Sequence, residues 1–364
     1  MEREKFILKI GRSEVNDLYP DLEEIELEID DRLAAELRLV IRLLQDSAGN
    51  WPTIADLDIS LWEDVKFSVI FGSDSTDLFE GVVTHVRTKF EKGRGALEVR
   101  AMDRSILLDR RDVVHAWKKQ KDSAIAATIL RRHGLRPRVA DTKLVHSEIV
   151  STIMQRETDM RFLRRLAERN GFECYVEGRV AYFRNPRESP PRLPAVYYGG
   201  DGKHPPGLGR FEAECDALRF APVVLTQLDR LDRTKILKSR PFKSGARLLG
   251  KKSAAKSQRG AGKSPLLMPA GNPTTGLAEM NTLVDATAGR SEWFVQAEGE
   301  IISRVYKSAL LPRRIITVAG VGKDFSGEYY LTRVTHKLKR GGPYTQIFRA
   351  ERNAIGVSGL ERWQ

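Results

Sequence analysis

The sequence predicts a mainly β protein with an α/β portion, an α+β chain in which two antiparallel β-barrel domains flank an α/β lobe. Three observations carry that prediction. Apolar and polar residues alternate through Ile25, Leu27 and Ile29 and again through Leu37, Leu39, Ile41 and Leu43, the period of a strand with one wet face. A well-punctuated helix runs directly into a tight hairpin between Glu157 and Pro186, and strong alternation returns from about Trp293 to Asn353. A chain of 364 residues with 41% hydrophobic content is long enough for two or three cored domains.

Taken in order, the strand pattern of the N-terminal region continues through Val65–Phe71, Val82–Phe90 and Leu97–Met102, with turn signals at Gly72–Ser75 and Lys92–Gly95. Residues 1–111 therefore read as a first β-barrel. Asp122 or Ser123 caps a helix that Gly134 ends after His133. In the next helix Thr158 or Asp159 is the cap, Phe162, Leu163, Leu166 and Ala167 form one apolar stripe, and Gly171 is the stop. Phe172–Glu177 and Arg179–Arg184 then form a hairpin about Gly178, ended by Pro186. Residues 112–210 make the lobe, closed by a Pro- and Gly-rich connector from Pro186 to Gly209. A second β-barrel is expected from 211–235 and 293–353, interrupted by a basic, flexible insertion at 236–292 and followed by a short tail at 354–364.

That insertion dominates the electrostatics. The net charge is +12, and the stretch from Arg233 to Ala278 alone holds eleven Lys or Arg with no Asp or Glu, leaving +1 for the remainder. Lys238–Gly276 has no strand or helix period and lacks aromatic residues after Phe242, which weakens a nucleic-acid reading because nothing is interleaved for base stacking. It reads equally as a solvated loop or as an anchor for an acidic neighbour. Its candidate contacts are Lys243, Arg247, Lys251, Lys252, Lys256, Arg259 and Lys263, with Glu24, Glu26 and Glu28 of an adjacent copy as one acidic counterpart. Deleting Lys243–Lys263 is expected to leave the fold intact while weakening assembly in a salt-dependent way.

Catalytic and cofactor chemistry leaves little trace, and no catalytic, metal or cofactor residue is assigned. Cys174 and Cys215 are too few and too distant for a disulfide framework or metal site, and the six histidines include no HExxH pair. The GAGKS run at Gly260–Ser264 lacks the first glycine of a phosphate loop, where Ser257 stands, and Pro265 follows it at once. No GxSxG elbow occurs, and carboxylate neighbours such as Glu24 and Glu26 read as a solvated strand face first. A cell-wall-degrading enzyme or a nucleic-acid-binding module remains the alternative class. No run approaches the roughly 18 to 20 apolar residues of a membrane span, so assembly in the cytoplasm is expected.

The wording of two stretches says more than their periodicity. Glu157–Pro186 reads ETDMRFLRRLAERNGFECYVEGRVAYFRNP, and Val318–His336 is a strand, a Phe-Ser-Gly turn and a long strand ending at a histidine. A Gly341-Gly342 turn and a last strand ending at Arg352-Asn353 follow. With weaker likeness at Ser123–Leu135, these resemble the tail-hub family of contractile injection machines over about two thirds of the chain. That family includes phage late control protein D, the myophage baseplate hub and the hub portion of type VI valine-glycine repeat proteins.

The resemblance implies a non-enzymatic structural hub, a homotrimer in which each chain gives two tube-like barrels. Six barrels would then match a six-fold inner tube to a three-fold spike. The implied partners are the inner tube protein, a spike protein and other baseplate proteins such as a LysM-type adaptor and wedge components, within a phage-tail-like particle. Only Ala354–Gln364 follow the Arg-Asn end, so the spike is expected to be a separate protein, and lysozyme-like activity on a C-terminal extension in some relatives does not carry over.

Overall fold

The computed structural model describes residues 5–51, 59–91, 94–145, 153–200, 203–220, 222–229, 231–232, 234–239, 244–257, 274, 276–357 and 359. The mainly β, α+β class is borne out. The N-terminal unit contains β1 (Lys5–Ile10), β2 (Ser13–Glu14), β3 (Leu22–Asp30), β4 (Glu36–Leu43), β5 (Asp64–Phe71), β6 (Asp74–Glu91) and β7 (Arg94–Asp103). Its sheet order is β3-β4-β7-β6-β5-β1, antiparallel throughout. Burial alternates strictly along β4 and β7, as the sequence period requires. Inner residues of all six strands, among them Leu8, Leu27, Leu39, Phe67, Val83 and Val99, share one core, so the sheet curls about it.

The lobe holds β8 (Asp112–Trp117), α1 (Asp122–Arg132), β9 (Arg136–Val139), β10 (Ile153–Thr158), α2 (Asp159–Arg169), β11 (Glu173–Glu177) and β12 (Val180–Arg184). Thr158 is the cap of α2, its hydroxyl accepting from the Arg161 N–H at 3.3 Å. Gly171 at φ +67° and Gly178 at φ +57° supply the helix stop and the hairpin turn. Asp159 instead ties the two helices, accepting from Arg132 at 2.8 Å and Gln155 at 2.7 Å, with His133 Nε2 at 2.7 Å.

The C-terminal half contains β13 (Val196–Tyr197), β14 (Leu208–Cys215), β15 (Thr226–Leu228), β16 (Ile236–Lys238), β17 (Lys252–Ser253), α3 (Ala254–Ser257), α4 (Leu277–Ser291), β18 (Val295–Ile302), α5 (Ser303–Tyr306), β19 (Ile315–Ala319), β20 (Gly327–Lys339), β21 (Thr345–Arg352) and β22 (Ala354–Ile355). Its sheet order is β14-β18-β21-β20-β19, again antiparallel, with β13 added to β19 in parallel. Among the described residues, β15 and β16 pair only with each other.

Three features differ from expectation. The two β units are not separate barrels: the second half of β20 pairs with β3, from Arg333 opposite Asp30 to Lys339 opposite Glu24, and merges them into one 13-stranded sheet. Among the described residues no ladder joins β1 to β3 or β14 to β19, so each unit is a curled sheet with free edges. The stretch 236–292 is also not simply a flexible insertion. Leu249 and Ala254 are buried, β17 pairs with β22, and α4 packs on α2, where Arg169 lies 3.5 Å from Glu279 and Arg290 donates to the Glu168 carbonyl at 3.0 Å. Deleting Lys243–Lys263 would remove buried Leu249 and Ala254 and the β17–β22 pairing, so it is expected to cost stability.

The two units repeat one strand path. β5-β6-β7-β4-β3 in the first matches β19-β20-β21-β18-β14 in the second. The long central strands are bulged at the same step, between Val83 and His85 in β6 and between Leu331 and Arg333 in β20. The intervening Thr84 and Thr332 hydroxyls donate to the carbonyls of Arg100 at 3.3 Å and Arg349 at 3.2 Å.

Candidate assembly interface

The acidic strand β3 is the seam between the two units, and its charges are met within the chain. Glu24 lies 3.4 Å from Arg38 of β4 and 3.5 Å from Lys339, Glu26 3.3 Å from Lys337, and Glu28 3.7 Å from Arg333. Directly opposed unlike charges favour this register, each half-exposed pair contributing well under about 1 kcal/mol.

The basic candidates divide. Lys243, Arg259 and Lys263 lie outside the described residues. Arg247 is engaged, donating to the buried carboxylate of Glu328 at 2.7 Å, which Arg192 also contacts. Lys251, Lys252 and Lys256 are exposed, on and beside β17 and α3. Their segment is held by Arg352 and Asn353, the end of the closing motif. Arg352 is wholly buried and donates to the carbonyls of Leu249 and Gly356 at 2.8 Å and of Ser326 at 3.1 Å. The Asn353 amide accepts from Leu249 N–H at 2.9 Å and donates to the Arg247 carbonyl at 3.0 Å.

A second polar cluster, not anticipated from sequence, joins all three parts. Buried Arg313, at φ +62°, donates to Glu173 of β11 at 3.0 Å and to the Asp31 carbonyl at 3.0 Å, its guanidinium 3.7 Å above the Tyr175 ring. Arg187 in the connector donates to Glu351 at 2.9 Å and lies over Trp293 and Tyr330 at 4.2 and 4.7 Å. Asp31 sits between them, 3.8 Å from Arg187, also facing Arg32, Asp30, Glu173 and Arg313. Burial, aided by the Glu173 charge and opposed by both arginines, pushes its carboxyl up to about 7.

The folded chain therefore holds a proton on Asp31 between about pH 4 and 7 that the unfolded chain has released. Stability from this group is present at low pH and is lost as pH rises through that window. Asp31→Asn is expected to melt higher than the unaltered protein at pH 8 and to lose that advantage near pH 4. Paired thermal melts check it, and a variant that melts lower at pH 8 contradicts the sign.

A cleft of about 320 Å³ lies beside this junction, lined by residues including Asp30, Asp77, Asp103, Arg164 and Arg313. Its carboxylates serve structure: Asp103 accepts from the Ala35 and Ser105 N–H groups at 2.5 and 2.7 Å, and Asp77 pairs with Lys66 at 2.6 Å. His336, which ends the long-strand motif, is fully buried with Nδ1 2.6 Å from the Tyr344 hydroxyl, and burial lowers it to about 3, so it is neutral. Among the described residues no group of three or more His, Cys, Asp or Glu is placed to hold a metal ion, and no helix is long and apolar enough to cross a membrane.

Two curled β units sharing one sheet, with an α/β lobe at their junction, define a tail-protein fold. A 43 kDa tail protein of prophage MuSo2 from Shewanella oneidensis superposes with TM-score 0.71 at 13% identity, over 97% of this chain and all of that one. A tail protein from Neisseria meningitidis gives 0.66 at 15%, covering 96% and 97%. An E. coli type VI secretion component described as structurally similar to bacteriophage tail proteins gives 0.58 at 16%, covering 98% and 80%. The resemblance to tail hubs is thus borne out in the fold. No curated protein matches significantly in sequence. The model of the Alg8 N-terminal domain matches residues 62–340, and the chain belongs to that family.

Proposed function

We propose that this chain is a structural hub in the baseplate of a contractile, phage-tail-like injection machine, acting by assembly and not by turnover. Three copies form a ring that adapts a six-fold inner tube to a three-fold spike. The observation that carries this reading is the repeated strand path: one chain supplies two β units of the same topology in one sheet, so three chains supply six. The tail-protein and type VI relatives of the fold support the same reading. The lobe, set at the outside of the junction of the units, meets adaptor and wedge proteins. Exposed Lys251, Lys252 and Lys256 offer an acidic neighbour a salt-sensitive contact.

Light scattering of the purified chain, alone and with tube and spike proteins from the same machine, tests this. A trimer, or a monomer that becomes one on meeting the spike, is the expected result; a monomer indifferent to both partners rejects it.

A further inference from the structure

We infer that the cleft between the first β unit and the lobe binds an internal, acidic segment of a partner protein: an Asp or Glu of that segment pairs with Arg164, and an apolar residue beside it packs on Leu33. This deepens the hub reading, on which it rests, by naming what the lobe recognises.

The cleft of about 320 Å³ at the junction does not stand alone. A second, of about 400 Å³, adjoins it, and both are lined by Leu33, Ser105, Met160 and Arg164. Each is in the size range of ligand-binding clefts. One wall belongs to the β unit, with Leu33 in the turn after β3 and Ser105 in the helical turn Arg104–Leu108 after β7. The other is α2, where Met160 and Arg164 stand four residues apart on one face. Asp30 Oδ1 accepts from the Arg32 and Leu33 N–H groups at 2.8 and 3.2 Å, which fixes the turn with Leu33 held out at 57% exposure.

Arg164 is the cation shared by the two clefts, and it is unpaired. Its neighbours on α2 are engaged, Arg165 with Glu157 at 2.8 Å and Arg161 with Asp109 at 3.6 Å. Arg164 forms no hydrogen bond or ion pair among the described residues, and its Nε is buried. A buried donor without an acceptor is costly to fold, so the site is built for an acceptor from elsewhere. The wall acids are already matched: Asp77 by Lys66 at 2.6 Å, Asp30 by Arg333 at 2.7 Å and Glu26 by Lys337 at 3.3 Å. Arg314 and the exposed Glu177 are also unmatched among the described residues, and they offset each other.

A purely internal role for Arg164 would be to balance Asp103, whose carboxyl feels its charge. That carboxylate already accepts from two backbone N–H groups, and burial still raises it above the usual carboxylate value, which a close ion pair would prevent. The clefts also decide what kind of anion fits. The first continues past Tyr175 to Arg313, and the second past Ile106 to Asp109, so a chain passes Arg164 and does not end there. The carboxylate is therefore a side chain and not a terminus.

Short overlapping peptides with blocked ends, tiling the adaptor and wedge proteins of the same machine, test this against the purified chain. Those that bind are expected to carry Asp or Glu next to an apolar residue, and Asn or Gln there should weaken binding about tenfold or more. Arg164→Ala should lose the same factor and Arg164→Lys recover part of it. Arg164→Glu should instead select peptides with Lys in place of the acid, a reversal that a structural role would not give. Leu33→Asp should block binding without touching the guanidinium, and because Leu33 is exposed it tests the site even where an Arg164 variant folds poorly. Binding that ignores the acid, Arg164 and Leu33 overturns the site, and a trimer seen by light scattering then leaves the hub reading standing. A chain that stays monomeric with tube and spike and binds none of the peptides overturns both.

Discussion

Arg313→Ala is expected to lower the unfolding free energy by about 3–5 kcal/mol, the cost of removing one partner from a buried ion pair. Arg313, set in the second β unit, reaches both the end of β3, through the Asp30 and Asp31 carbonyls, and the hairpin strand β11, through Glu173 and Tyr175. Truncation leaves Glu173 facing a void with Asp31 nearby, while alanine keeps the left-handed backbone strain at φ +62°. Arg313→Lys should fall between, because an ammonium keeps the charge but cannot stack flat on the ring and bridge two carbonyls. Urea titrations of the three proteins decide this. A loss below about 1 kcal/mol for the alanine variant would show the junction to be held by apolar packing alone.

Arg352→Ala should be comparably severe, about 3–5 kcal/mol, for a different reason. No carboxylate is bonded to this guanidinium among the described residues; it donates to the backbone carbonyls of Leu249, Ser326 and Gly356, the last of which also accepts from the Lys251 N–H at 3.1 Å. Glycine at 250 and 327 makes room for it, since a Cβ at either position would stand 2.6 or 2.5 Å from Nη2. Loss of the side chain frees the 247–250 stretch from the sheet, so trypsin should cut at Lys251 or Lys252 well before the unaltered protein is cleaved there. Equal cleavage rates and an unchanged melting temperature would contradict the anchoring role.

Many strands of the two β units were legible because they have one buried face, which writes a period of two into the sequence, whereas β19 is buried at every position and shows no such period. β4, β7 and β18 show it without interruption. The cap and stop of α2 and the stop of α1 were legible for the same local reason, but Asp122 and Ser123 do not cap α1: Lys121 begins it without a side-chain bond, Asp122 is engaged by Arg169, and the Ser123 hydroxyl donates to Asp141. Helix α4 was not, because its buried positions include the small residues Ala286 and Ala288, and Gly276 begins it without a side-chain cap. The roles of Arg247, Leu249 and Arg352 were hidden by distance along the chain, since Leu249 lies among Lys, Ser and Gly and its partners come more than a hundred residues later.

The acidic strand has the one polar face its period requires, but apart from Arg38 of β4 the cations that meet Glu24, Glu26 and Glu28 come from β20, some 300 residues away, where no local pattern reveals them. The repeat is faint in the sequence because the halves share strand order and bulge position with few identities. The signal that could have exposed it is Thr-His-Val at 84–86 against Thr-Arg-Val at 332–334, each followed by a Lys three residues on, at Lys89 and Lys337.

The ladder between β20 and β3 also has a mechanical meaning. Units joined only by a tether can swing apart under a push, storing and dissipating work in the hinge. Here the pulling direction along the sheet loads many backbone hydrogen bonds side by side, and the lobe is riveted across the same line by Arg313 and Arg187. A force on one β unit is therefore passed to the other through that ladder and not through a hinge.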